Sequence, residues 1–158
     1  MYLSSQDPAY EGLSMHGRFG RISYFAWHML LALGLLMLLG TAWLIAPHLF
    51  DQAIFIIDAS SIIALLLLLI AQIGAVYFHI VFTVRRLHDC ELNPYWAILC
   101  MIPFANWLLA FYLLFKPGIN QKNVYGDVRH TLIWEKYLTY LSILILVLFI
   151  IIFILFTK

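Results

Sequence analysis

Charge is scarce in this sequence. Charged residues make up 11% of its 158 positions and hydrophobic residues 65%, against about 25% and about 45–50% in soluble globular domains. A chain this short has too little interior to hide that much apolar surface from water, which excludes an ordinary soluble fold. Cysteine is scarcer still. Cys90 and Cys100 share no C-x-x-C spacing, so a disulfide framework is not expected. Nine basic and eight acidic residues leave a net charge of +1, which gives no polyelectrolyte signal for nucleic acid. A basic start is lacking too. The first 15 residues are polar and carry Asp7 and Glu11, so no cleavable signal peptide is expected. Catalytic signatures are also missing. The sequence has no nucleophile elbow, phosphate loop, HExxH or obvious carboxylate pair, and we expect no enzyme.

What the sequence does have is long apolar runs. A helix needs roughly 20 apolar residues to cross about 30 Å of hydrocarbon. Residues 23–45, 60–84 and 137–157 each meet that length. The last run is rich in β-branched residues, but lipid demands a helix because an open strand leaves backbone groups without hydrogen bonds. Residues 95–115 are apolar as well, with Pro103 in the middle and Asn106 and Trp107 close behind. Proline removes a donor and clashes with the preceding turn, so this run is either a kinked fourth span or a re-entrant pair of short helices. The expected fold is all-α integral membrane: three full transmembrane helices plus this Pro-broken segment.

Basic residues orient the chain. Arg18 and Arg21 precede the first run, and Arg85 and Arg86 follow the second. Lys116, Lys122, Arg129 and Lys136 precede the last. The 46–59 loop holds only Asp51 and Asp58 among charged residues. The positive-inside rule places the amino terminus in the cytoplasm of a multi-pass protein. If 95–115 re-enters, all eight of these basic residues are cytoplasmic, which favours re-entry over a fourth crossing. Tyr24, Trp27, Tyr95 and Trp96 near the run ends read as interfacial anchors.

Three stretches carry a resemblance: GRFGRISYFAWHML (17–30), VRRLHDCELNPYWAILCMIPFANWLL (84–109) and FKPGINQKNVYG (115–126). Together they resemble the bacterial inner-membrane family called domain of unknown function eight hundred and five. The resemblance implies a small bacterial inner (cytoplasmic) membrane protein without an established activity. It divides the chain into an interfacial amino-terminal arm (1–22), a family membrane domain (17–126), and a linker with an extra carboxyl-terminal transmembrane helix (127–158). Members of the family ordinarily close soon after the Asn-x-Tyr-Gly element, so the 137–157 helix is an addition.

Polar residues inside hydrocarbon are functional candidates by default. Gln72, His79 and Arg86 are spaced by seven, and so are Arg21 and His28, which puts each set on one helix face. Each histidine then lies about 10 Å deeper than its arginine. His28 and His79 are expected at one level if their helices are neighbours. Asn106 is a further intramembrane polar residue. His28, His79, His88, Asp89 and Cys90 offer imidazole, carboxylate and thiolate, donors that suit zinc, although none has a recognised zinc spacing. The bland alternative is that each histidine donates to a backbone carbonyl, and no cofactor is then expected.

Arg18, Arg21, Arg85, Arg86, His88, Asp89, Asn123 and Tyr125 form the candidate polar cluster at the cytoplasmic side. Asp89 paired with Arg18 or Arg21 gives a structural scaffold. Arginines converging on lipid phosphate give a headgroup site, and a pure topology signal is the third reading. The 116–126 loop, with Pro117, Gly118, Asn123 and Gly126, reads as an ordered turn with Tyr125 against the arginines. The favoured function is a non-enzymatic accessory or structural protein of envelope maintenance. Its expected partners are membrane lipids, other envelope membrane proteins and its own copies, with three copies as the working stoichiometry. The alternative is an oligomeric transporter or channel for a small solute, ion or metal that uses the His28 and His79 stripe.

Overall fold

The computed structural model describes residues 14–51 and 58–156. Most of the amino-terminal arm, the middle of the 46–59 loop and Lys158 lie outside the described residues. Four α-helices follow one another: α1 (Arg21–Ile45), α2 (Ala59–Asp89), α3 (Pro103–Phe115) and α4 (Ile133–Phe156). Short 3₁₀ helices at Pro47–Phe50 and Pro94–Met101 precede α2 and α3. The three long helices have 25, 31 and 24 residues, or about 37, 46 and 36 Å at 1.5 Å per residue. Each is long and apolar enough to cross a membrane, and their apolar side chains are largely exposed, Met37 at 75% and Phe149 at 65% among them. In water such patches would drive association. In a bilayer they are the surface that lipid wets.

The chain forms two compact units, Leu30–His79 and Met1–Met29 with Ile80–Lys158. The first has a core of small residues, Ala42, Ala46 and Ala64, packed by Leu49 and Leu68. Alanines allow close backbone approach where no hydrophobic effect drives helices together. Asp58 caps α2, accepting the Ser61 amide at 2.8 Å and the Ser60 and Ser61 hydroxyls at 2.8 Å each. The Ser61 amide and then these hydroxyls hold the Asp58 carboxyl well below the usual carboxylate range. His48 Nε2 reaches Ser61 Oγ at 2.7 Å and ties the preceding 3₁₀ helix to this cap.

The second unit carries the arginine cluster. Three features there bear on the sequence expectations. First, α2 runs past the end of the 60–84 apolar run. It continues through Asp89, so Arg85, Arg86 and His88 are helical and their spacing is fixed. Its end is a Schellman turn. The Leu92 amide bonds to the Leu87 carbonyl at 2.9 Å and the Glu91 amide to the His88 carbonyl at 3.2 Å. Glu91 takes the left-handed position at φ 52°. Second, residues 95–115 are not one helix. The break falls at Ile102, and Pro103 opens α3, where its missing amide costs nothing. The 13 residues of α3 span about 20 Å, short of the hydrocarbon thickness. The Ile119 amide bonds to the Asp89 carbonyl at 2.9 Å, so the chain leaves and returns at one place. Third, α4 begins at Ile133, four residues earlier than the apolar run.

Candidate functional site

The site is built on the last turns of α2. Arg86 and Asp89 stand three apart on one face, close enough for a direct ion pair between Arg86 Nη1 and Asp89 Oδ2. Arg18 arrives from the segment before α1. Gly17 turns the chain at φ 82°, and the Phe19 amide then bonds to the Arg85 carbonyl at 3.0 Å. Arg18 donates to Asp89 Oδ1 through Nε at 3.2 Å and Nη2 at 3.0 Å. One carboxylate therefore serves two guanidinium groups, both fully buried.

Backbone carbonyls satisfy the remaining donors. Arg18 Nη1 bonds to Gln121 at 2.7 Å and Gly126 at 3.3 Å, and Nη2 also reaches Ile119. Arg86 bonds to Leu113 through Nε at 2.9 Å, to Phe19 through Nη1 at 3.2 Å, and to Lys116 through Nη2. The fork of Arg suits this work, because its donors are fixed in a plane and point in several directions. Three stretches distant in sequence are thus closed into one knot.

The 116–126 loop is shaped to fit it. Asn123 and Gly126 exchange backbone hydrogen bonds at 3.1 Å each, with Gly126 at φ 126°. The Asn123 side chain accepts the Tyr125 amide at 2.9 Å and donates to the His88 carbonyl at 2.8 Å. Tyr125 stacks on His88 with centroids 4.0 Å apart and planes 9° apart. His88 Nδ1 donates to the Gly17 carbonyl at 3.1 Å. Gly118 is the closest fit. A Cβ there would fall on the Asp89 carboxylate, 2.7 Å from its Cγ. Two arginines hold that carboxylate, so it has no room to yield. Gly118→Ala is expected to lower the melting midpoint of the detergent-purified protein, with a loss of about 1–3 kcal/mol. An unchanged midpoint would show that the loop moves aside.

A second ionic group lies in the same unit. Glu135, in the first turn of α4 and wholly buried, accepts Arg129 Nη2 at 2.7 Å and Nη1 at 3.1 Å. It also accepts Ser23 Oγ at 2.8 Å, Trp27 Nε1 at 2.8 Å and the Leu132 amide at 2.9 Å. The buried Phe19 ring connects the two groups. Arg85 lies 3.9 Å and Arg129 5.0 Å from its centroid, within cation–π range.

The structure brings together Arg18, Arg86, His88, Asp89 and Asn123, with Arg85 against Phe19, and Tyr125, expected against the arginines, lies on His88. Arg21 is exposed and lies outside the knot, and the partner of Asp89 is Arg18 together with Arg86. Gln72 is exposed on α2, and His79 and Asn106 are half-buried. His28 Nδ1 donates to the Tyr24 carbonyl at 2.8 Å, so His28 and His88 both have the backbone bond of the bland reading. The zinc donors do not fit a metal. Among the described residues no three His, Cys, Asp or Glu side chains converge. Both Asp89 oxygens face arginines, and burial pushes the Cys90 thiol up, away from the thiolate a metal needs. Phe19 and Glu135 are not singled out by the sequence, Gly118 appears there only as a turn residue, and Arg129 only as a loop charge. An acid in the first turn of a 24-residue helix whose one other charge is Lys136 was the available signal for Glu135.

Comparison with known proteins bears on the same residues. The family model described as "Protein of unknown function (DUF805)" matches residues 12–127. Inner membrane protein YhaI of Escherichia coli (strain K12) is 36% identical over 44 residues, 28% of this chain and 37% of that protein. Inner membrane protein YhaH of the same strain is 38% identical over 42 residues, 27% of this chain and 35% of that protein. The chain thus spans little more than a third of the curated relatives it matches. No solved structure matches. The family match covers well over half of the 158 residues and contains the whole Arg18–Arg86–Asp89 knot, so this chain belongs to the family described as protein of unknown function (DUF805).

Proposed function

We propose that this protein is a non-enzymatic accessory protein of the inner membrane, acting in envelope maintenance by self-association and by contacts with lipids or other membrane proteins. One observation carries the reading: the charged side chains of the motif engage one another and backbone carbonyls. They act as a fastener. A catalytic or conducting site would instead hold such groups toward a substrate path. The outward faces are apolar, above all on α4, where Ile145, Phe149 and Phe153 are 58%, 65% and 61% exposed. Those faces suit lipid or a neighbouring helix.

The knot also supports an orientation. Arg18, Arg86, Lys116 and the 119–126 loop meet at one place, so the basic residues of three segments share one side. Positive-inside puts that side, and the amino terminus, in the cytoplasm. Reconstituted full-length protein is expected to cross-link as multimers and to pass no ions or small solutes across vesicles. Solute flux that His28→Ala or His79→Ala abolishes, with the multimer intact, would replace this reading by transport.

A further inference from the structure

We infer that one anionic phospholipid seats on this protein between the end of α2, the 3₁₀ helix at Pro94–Met101 and α3, with an acyl chain in the groove there and its phosphate at Lys116 and Tyr112. The groove has a volume of about 400 Å³ and is lined by Leu87, Leu92, Leu99, Ala105, Leu109 and Tyr112 among others. This is the size of a small-ligand site, and nearly all of its wall is hydrocarbon. The inference rests on the accessory reading above and names one of its lipid contacts.

The groove is held open by parts of the fold already fixed. Leu87 and Leu92 are the paired apolar residues of the Schellman turn, and Leu87 is wholly buried. Arg86 holds the Lys116 carbonyl at the far end of α3. The wall residues Ala105 to Tyr112 cover about 10 Å of helix axis, a stretch suited to the upper part of an acyl chain.

Charge selects the headgroup. The Tyr112 hydroxyl accepts a hydrogen bond from Lys116 Nζ at 2.7 Å. The hydroxyl keeps its own proton as a donor, beside an ammonium that has two further donors. This pair stands where the apolar α3 gives way to the polar loop, the level at which lipid phosphates lie. Three of the four arginines that the sequence offers for this role are not available for it. Arg18, Arg85 and Arg86 are fully buried, and the donors of Arg18 and Arg86 point into the knot.

The test is native mass spectrometry of full-length protein in a neutral detergent, offered equal amounts of phosphatidylglycerol and phosphatidylcholine. One phosphatidylglycerol per chain is expected, favoured by about fivefold, the effect of one lysine at an anionic headgroup. Lys116→Gln should bring the ratio close to one. It removes the ammonium and keeps the carbonyl that Arg86 holds, so the melting midpoint should not move. Ala105→Phe should fill the groove and reduce both lipids. Equal retention by the wild type, or a ratio unmoved by Lys116→Gln, overturns the inference, and the second result decides even where Ala105→Phe does not fold. Absence of bound lipid with no flux and an intact multimer removes this site alone. Solute flux removes the accessory reading itself.

Discussion

Asp89→Asn is expected to be among the most damaging single changes in the chain, lowering stability by about 3–5 kcal/mol. The shape of the side chain is nearly preserved, so packing is not the cause. The carboxylate accepts from Arg18 at 3.0 and 3.2 Å and from Arg86 on its other oxygen. An amide has one oxygen and one NH₂, so one arginine would face a donor. Two fully buried guanidinium groups would then share no negative charge. The melting midpoint in detergent should fall by about 10 °C or more for a chain of this size. Arg18→Lys should also be poorly tolerated, because one ammonium cannot reach Asp89, Gln121 and Ile119 in the plane of a fork. Asn123→Ala, which removes only the tie to the His88 carbonyl and the turn bond, should cost about 1–2 kcal/mol. If Asp89→Asn melts like the wild type, the knot is not what closes the three segments, and the fastener reading fails with it.

The helices were legible because lipid makes the rule simple: length and apolar content suffice. The break in the 95–115 run was also legible, from Pro103. Much of the knot could be read, since Arg-Arg-Leu-His-Asp places charge where a greasy helix ends. What sequence order did not give was pairing. Arg18 and Arg21 look equivalent, yet only Arg18 follows the turn at Gly17 and enters the knot. The 3.6-residue period likewise put Gln72, His79 and Arg86 on one stripe, but their surroundings differ at each level, from exposed through half-buried to fully buried. Backbone carbonyls carry no sequence signature, so the bonds from Arg18 to Ile119, Gln121 and Gly126 were out of reach. Gly118 looked like a turn glycine, and its close approach to Asp89 is a packing fact. Phe19 looked like one aromatic among many until two guanidinium groups were found against it.

Glu135→Ala should cost about as much as the change at Asp89. Glu135 is wholly buried, and its two oxygens accept five hydrogen bonds, from Arg129 twice, Ser23, Trp27 and the Leu132 amide. The last of these is half of a capping box, with the acid at the third helical position reaching back to the amide before the helix. Removing the carboxylate strands Arg129, which is only 7% exposed, and leaves the Ser23 and Trp27 donors of the first helix without an acceptor. A loss of about 3–5 kcal/mol is expected, read as a drop in the melting midpoint and as earlier proteolysis in the 127–132 linker. Arg129→Met combined with Glu135→Leu provides the decisive comparison. A buried ion pair exchanged for apolar side chains of similar volume is often close to neutral, so the double variant should recover most of the loss seen in Glu135→Ala. Recovery would identify the single-variant defect as an uncompensated charge. A double variant as unstable as Glu135→Ala would instead assign the stability to the Ser23, Trp27 and Leu132 bonds, and α4 would then be docked by its cap and hydrogen bonds more than by its ion pair.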